Sequence, residues 1–271
     1  MPEGDTLART ARTLHTWLGG REVTAARAPR SDIPATHLVG DKVEVVETRG
    51  KHLFMRFSSG LVLRTHMKMT GSWHVYPADG RWRRPASEAR LVVECGDRIA
   101  VAFNVPVIEL LHERDEKVHP ALANLGPDIL VDPVDIDEVR RRAATRSDAL
   151  PICELLLDQQ VVCGIGNIWR AESMFACGVD PMTPQADAPI ADLVNAATRL
   201  MQASVAARGA PPPMAVYNRT GRPCRRCRTP IQSRAYGANA RRLYWCPSCQ
   251  AQPPPFWPAE GQESGEIRWP E

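Results

Sequence analysis

The stretch Leu155-Leu-Leu-Asp-Gln-Gln-Val-Val-Cys-Gly-Ile-Gly-Asn167-Ile-Trp-Arg-Ala-Glu172 decides how the rest of the chain is read. Two runs suited to helices flank Gly164-Ile165-Gly166, so the pattern is two helices joined by a tight turn, with Asn167 capping the second. Such a turn aims backbone N–H groups and a helix N-terminus at an anion, and phosphate is a common occupant. Helix capping alone would use the same residues; the longer context favours contact with a DNA backbone.

Toward the N-terminus the periodicity changes. Val43-Thr48, His52-Phe57, Leu61-Thr65, Trp73-Tyr76, Leu91-Cys95, Arg98-Phe103 and Val107-Leu111 are short, β-branched or alternating, and separated by Gly, Ser, Asp or Pro. Strands at that spacing predict a sandwich or barrel. Ahead of them, Leu7, Ala11, Leu14 and Leu18 form a helical stripe that Gly19-Gly20 stops, with Asp5 as its cap. After His119-Pro120 the pattern is helical. Asp132-Pro133 and Asp135 precede a helix over Ile136 to Ala144, a helical segment follows from Asp148 to Gln160, and another helix spans Ile190 to Ala207. The fold class is therefore multi-domain α+β. Expected divisions are a β-domain over 1–118, a linker over 119–134, a helical domain over 135–213, a cysteine module over 214–252 and a disordered Pro-rich tail over 253–271.

The net charge of the 271 residues is only +3, but its distribution is uneven. Between Asp192 and Glu260 there is no acidic residue, while ten arginines fall in that window, among them Arg241 and Arg242. A basic module of this kind suits a polyanion. Of the eight cysteines, Cys95, Cys153, Cys163 and Cys177 sit in apolar surroundings and read as reduced core residues. Cys224, Cys227, Cys246 and Cys249 form C-x2-C-x18-C-x2-C, the spacing of two zinc knuckles across a hairpin, and imply one structural Zn2+. Two local disulfides would instead need an oxidising compartment. No apolar run reaches the length of a membrane span and no signal sequence is evident, so a cytoplasmic location is expected.

The N-terminus, Met1-Pro2-Glu3-Gly4-Asp5, invites a chemical reading. Removal of Met1 would leave Pro2 with a free secondary amine. A terminal amine titrates near 8, so part of it is an unprotonated nucleophile at neutrality, and Glu3 beside it could move a proton. Lys51, in Arg49-Gly50-Lys51, would on its own be a solvated loop charge.

Together these motifs resemble the formamidopyrimidine-DNA glycosylase and endonuclease VIII family of helix-two-turn-helix repair enzymes, over nearly the whole chain to about residue 250. The resemblance rests on the Met1-Pro2-Glu3-Gly4 start, Arg49-Gly50-Lys51, Leu157 to Ile168, and the four-cysteine finger preceded by Val216-Tyr-Asn-Arg-Thr-Gly221. It implies a β-sandwich with an N-terminal helix, a helix-two-turn-helix domain and a zinc finger. It also implies a monomeric glycosylase and abasic-site lyase that flips a damaged base out of DNA. In that reading Pro2 attacks C1′ of the damaged nucleoside, Glu3 is the acid/base residue at the deoxyribose, and Lys51 holds the phosphate beside the lesion. Asn167 and Gly166 grip phosphate at the helix-two-turn-helix, and Arg241, five residues before Cys246, grips it from the finger.

Met69, in His66-Met-Lys-Met69-Thr-Gly71, is similar to the family's wedge, which fills the hole left by a flipped base; a buried strand methionine is the competing reading. Two departures stand out. The family's arginine and phenylalanine hole-filling pair is not evident near Asn104-Val105-Pro106, and Thr6 stands where a glutamate is typical. The Met-Pro-Glu-Gly start is closer to the endonuclease VIII branch, implying oxidised pyrimidines as lesions. The alternatives are the formamidopyrimidine/8-oxoguanine branch and a catalytically weakened DNA-damage-binding protein. A zinc-ribbon RNA factor would leave the N-terminus unexplained.

Overall fold

The computed structural model describes residues 2–207, 213–237 and 240–250. Met1, Arg208, Pro211, Pro212 and the Pro-rich segment 253–271 lie outside the described residues. The chain begins with helix α1 (Gly4–Leu18) and continues through β1 (Ala25–Arg27), β2 (Val43–Arg49), β3 (His52–Phe57), β4 (Leu61–His66), β5 (Ser72–Pro77), β6 (Ala89–Cys95), β7 (Arg98–Phe103) and β8 (Val107–His112). Two four-stranded antiparallel sheets result, in the orders β2-β3-β4-β8 and β1-β6-β7-β5. The sandwich outcome follows from the residue pattern: Leu53, Met55, Phe57 and Leu63 of one sheet face Leu91, Val93, Ala100 and Ala102 of the other.

Helix α1 closes this core. Leu7, Ala11, Leu14 and Leu18 are all buried in it, as the four-three-four spacing requires. Leu7, Leu14 and Leu18 are each at most 1 % exposed, so each contributes about 1.5–3 kcal/mol of burial. At the helix end, a Cβ on Gly19 would lie 2.6 Å from the His15 carbonyl oxygen, so glycine is what fits where the chain leaves the helix. Asp5 does not cap α1. It is in the first turn, Glu3 holds the cap position, and the Asp5 carboxylate is engaged elsewhere.

The second half contains α2 (Ile136–Ala143), α3 (Ile152–Leu155), α4 (Asn167–Cys177), α5 (Ile190–Ala206) and a hairpin of β9 (Gln232–Tyr236) with β10 (Arg241–Trp245). Asp135 caps α2 as expected, accepting the Glu138 N–H at 2.9 Å. Ile165, Trp169, Met174, Leu193 and Met201 share a core with Leu243 and Trp245 of the hairpin. The opposite face of α4 supplies Ala171 and Phe175 to a smaller core around Val216, Ile231 and Tyr244. Helix α4 is thus the axle between the helical layer and the cysteine module.

The helical segment expected over Asp148 to Gln160 is corrected: only Ile152–Leu155 is α-helical. The Asp158 side chain accepts the Gln160 N–H at 2.8 Å and the Asp158 carbonyl accepts from Val161 and Val162, closing turns in place of a further helical turn. Among the described residues no helix is long and apolar enough to cross a membrane.

Candidate active site

Pro2 is half-buried immediately ahead of α1. The next residue crosses the molecule. Glu3 is 0 % exposed, and its carboxylate accepts the Ile168 N–H at 2.7 Å, the Gly166 N–H at 3.1 Å and the Trp169 N–H at 3.3 Å. A second tie, Gly4 N–H to the Gly164 carbonyl at 3.0 Å, runs alongside. The anion seated on the N-terminus of α4 is therefore Glu3, and the fixed peptide dipoles there favour its charge. This corrects two expectations. The Gly166 N–H, read as a phosphate grip, donates to Glu3; Asn167 is the first helical residue, and Gly166 holds the cap position without a side chain. A Cβ on Gly166 would lie 2.4 Å from Glu3 Cδ, so glycine is what admits the carboxylate.

Burial is the largest influence on Glu3 and raises its pKa, opposed by the Ile168 N–H, the Lys51 charge and the Trp169 N–H. Burial thus makes this carboxyl a weaker acid than a free one, while the three N–H donors fix its orientation.

Lys51, in the β2–β3 turn, acts on this carboxylate through its charge. Gly50 there has φ +59°, and an added Cβ would lie 2.9 Å from Cys163 Sγ, so the turn packs directly on the glycine-rich segment after α3. Its N–H donates to Asp128 at 2.7 Å. Burial lowers the Lys51 pKa to about 8; Glu3 opposes that shift and Arg241 adds to it. Glu3, Lys51 and Arg241 are thus within electrostatic reach of one another, although they come from the N-terminus, the sandwich and the cysteine module.

The Asn167 amide is held at both ends. Nδ2 donates to the Arg242 carbonyl at 2.9 Å, and Oδ1 accepts from the Arg170 guanidinium. Arg170 is 0 % exposed and also donates to the Cys153 carbonyl at 3.1 Å. Asn167 and the Arg241–Arg242 segment consequently stand side by side. Arg241 is half-buried, whereas Arg242 is exposed and donates to Ser233 at 3.0 Å.

Asp5 makes a further interdomain tie that the sequence did not reveal. It accepts the Trp169 indole N–H at 2.9 Å and the Ser204 hydroxyl at 2.6 Å, joining α1 to both α4 and α5. Thr6 donates internally, to Asp5 at 3.5 Å. Gln159 fixes the glycine turn by accepting the Gly164 N–H at 3.0 Å and donating to the Ile165 carbonyl at 3.1 Å. Asp128 and Gln159 carried no sequence signal, because their partners are backbone groups that only folding brings near.

Met69 stands apart from this cluster, on the loop between β4 and β5. It is 69 % exposed, while Met67 two residues earlier is buried, which removes the reading of Met69 as a core methionine. Its loop starts from His66, whose ring centre lies 4.9 Å from that of His52, the residue after Lys51.

The thiols of Cys224, Cys227, Cys246 and Cys249 lie within 4.8 Å of one another. Cys224 to Cys249 is 3.9 Å and Cys227 to Cys246 is 3.4 Å between sulfurs, against about 3.8 Å for a tetrahedron with metal–sulfur bonds near 2.3 Å. Backbone N–H groups of Arg226 and Cys249 point at Cys224 and Cys246 sulfurs, as thiolates require. All four are free thiols, and the donor set fits one tetrahedral soft metal ion.

Comparison with known proteins agrees with this architecture. Residues 1–106 match the formamidopyrimidine-DNA glycosylase N-terminal domain, and residues 125–211 match the H2TH domain of the same enzymes. A probable endonuclease 8 of Streptomyces coelicolor is 38% identical over 94% of this chain and 96% of its own length. The DNA-(apurinic or apyrimidinic site) lyase Nei2 of Mycolicibacterium smegmatis is 33% identical over 92% of this chain and 99% of its own. The Lactococcus lactis formamidopyrimidine-DNA glycosylase, solved with abasic-site DNA, superposes with a TM-score of 0.80 over 93% of this chain and 100% of that one, at 20% identity. On these matches the chain belongs to the formamidopyrimidine-DNA glycosylase and endonuclease VIII family.

Proposed function

We propose that this protein is a base-excision-repair DNA glycosylase and abasic-site lyase of the endonuclease VIII type, acting on oxidised pyrimidines through an iminium on Pro2. The observation that carries the reading is the seating of Pro2-Glu3: the carboxyl is buried on the N-terminus of α4, within reach of the Lys51 charge. That arrangement holds the preceding amine in one place.

In the proposed reaction the Pro2 nitrogen forms a bond to C1′ as the bond from C1′ to the base breaks, and the base leaves with the electron pair and takes up a proton. Glu3 protonates the ring oxygen as it leaves C1′, which gives the iminium. The iminium acidifies the C2′ proton. Transfer of that proton to the Glu3 carboxylate left by the first step expels the 3′ phosphate, loss of the C4′ proton to water expels the 5′ phosphate, and water hydrolyses the iminium to free Pro2.

Lys51, Asn167 and Arg241 are assigned to the phosphates flanking the lesion, from three elements that close on one site. Met69 is assigned as the wedge. Cys224, Cys227, Cys246 and Cys249 are assigned to one structural Zn2+, whose all-thiolate set leaves no position for activated water. Residues 1–118 would be the catalytic domain and 135–213 with 214–252 the DNA-binding half, of a monomer that works in the cytoplasm on the nucleoid.

Borohydride trapping tests the reading directly. Met-processed protein on abasic or oxidised-pyrimidine duplexes should give a covalent adduct that disappears with Pro2→Gly or a blocked N-terminus. Absence of adduct from processed, DNA-binding protein would sink it and leave a damage-binding scaffold. A lesion panel in which 8-oxoguanine and formamidopyrimidines react faster than thymine glycol would overturn the branch assignment.

A further inference from the structure

Two loops meet at the end of the sandwich that presents Met69. One is Met67–Gly71, closed by the Gly71 N–H to the Met67 carbonyl at 2.8 Å and by the Lys68 N–H to His66 Nδ1 at 3.0 Å. The other is residues 104–106, where the family's hole-filling pair is not evident. They touch. The Thr70 hydroxyl donates to the Asn104 carbonyl at 3.3 Å, and a Cβ on Gly71 would lie 3.0 Å from Val105 Cα. Lys68 and Asn104 both have left-handed backbones, with φ +49° and +48°, so each loop is sharply turned where the two meet.

Behind the second loop lies a polar strut from the segment between β5 and β6. Glu88 binds Asn104 twice: its carbonyl accepts the Asn104 N–H at 2.9 Å and its carboxylate accepts Asn104 Nδ2 at 3.1 Å. Arg84 donates to the same carboxylate at 2.7 Å and to Ser72 at 2.8 Å, the first residue after Gly71. Its guanidinium also lies 5.7 Å from the centre of the Phe103 ring. One carboxylate therefore joins both loops: directly through Asn104, and through Arg84 to Ser72. Glu88 and Arg84 are about two-thirds buried, where such interactions are better shielded from water than on an open surface.

We propose that Glu88 and Arg84 are positioning residues for the wedge, and that residues 104–106, instead of entering the helix, buttress the Met67–Gly71 loop so that Met69 projects into the duplex. The proposal rests on the reading of Met69 as the wedge. A wedge must resist being pushed back as bases are unstacked, and a loop of five residues without a brace would fold away under that load. The hydrogen bonds inside the loop are short-range, so its tie to Asn104 through Thr70, backed by Glu88 and Arg84, supplies this stiffness.

The test uses the full-length protein and a duplex bearing a tetrahydrofuran abasic analogue, with 2-aminopurine at the neighbouring position to report unstacking. Saturating wild-type protein should raise the fluorescence. Met69→Ala and Glu88→Ala should each remove roughly half or more of that gain, and the double variant should lose no more than Met69→Ala, since both act on one displacement. Glu88→Gln, which keeps one acceptor oxygen, should recover part of it, and it answers the same question if Glu88→Ala does not fold. A wild-type gain in both Glu88 variants, with a reduced gain in Met69→Ala, would overturn the brace. A wild-type gain in Met69→Ala would instead remove the wedge reading on which the brace depends.

Discussion

Glu3 Oε1 accepts the Ile168 amide N–H at 2.7 Å, joining residues 165 positions apart and fixing the N-terminal segment to the first turn of α4. In the proposed reaction the same carboxylate that caps the helix also moves a proton. Glu3→Gln separates the two roles, because an amide keeps the shape and one acceptor while losing the proton. Single-turnover cleavage of a thymine glycol duplex should fall about 10²-fold or more, with a loss of about 1–3 kcal/mol in denaturant unfolding from the mispaired amide. Wild-type cleavage by a destabilised variant would show that Glu3 is a cap alone.

Asp5 predicts a different pattern. Its carboxylate is taken up by Trp169 Nε1 and Ser204 Oγ, so it is a tie between helices and does not stand in for the glutamate absent at Thr6. Asp5→Asn, Trp169→Phe and Ser204→Ala should each destabilise the protein by about 1–3 kcal/mol, and pairs among them should cost less than the sum. Urea midpoints of the single and paired variants measure this. Additive losses would mean that the three do not act as one unit.

How much of this was legible in the sequence depends on the range of each interaction. The sandwich strands were readable because Val43 to Leu111 alternates or runs apolar between Gly and Asp signals, and α1 because its stripe spans a whole face. Strand β1 was not, since Ala25-Ala-Arg27 is too short to show a period. Leu155-Leu-Leu looked helical, but the Asp158 side chain competes for the backbone one residue later. Cys224, Cys227, Cys246 and Cys249 declared themselves by spacing. Glu3, in contrast, reads in the sequence as a proton carrier beside Pro2 and nothing more. Its donors are contributed by Gly166 to Trp169, and no local pattern at position 3 reports a helix end that far away in the chain.

Metal removal should act at a distance. The cysteine cluster anchors the β9–β10 hairpin, whose second strand begins at Arg241, and Leu243 and Trp245 bury that hairpin against the helical core. Cys246→Ser should abolish stoichiometric zinc by elemental analysis and weaken DNA binding. It should also lower the slope of log K against log salt by about one unit for each phosphate that the finger no longer holds. Arg241→Ala should reproduce about one unit of that slope with zinc retained. An unchanged slope in Arg241→Ala would mean that Arg241 holds no phosphate.

Lys51 makes the pH dependence predictable in sign. Its folded pKa of about 8 lies below the value near 10.4 of an unfolded lysine, because burial disfavours the charged amine. Between those values the unfolded chain binds more protons, so this residue makes DNA-free stability rise with pH through that window, and the gain is lost again as pH falls back from about 10.4 to about 8. Phosphate binding has the opposite sign, since the cation it needs is lost as pH rises through 8. Unfolding and DNA-binding titrations from pH 6.5 to 10, compared with Lys51→Met, isolate the residue, whose contribution should move stability up and affinity down over the same interval. Arg241→Ala, which removes a neighbouring positive charge, should shift both midpoints upward. Identical profiles for wild type and Lys51→Met would mean that Lys51 neither titrates in this range nor holds a phosphate.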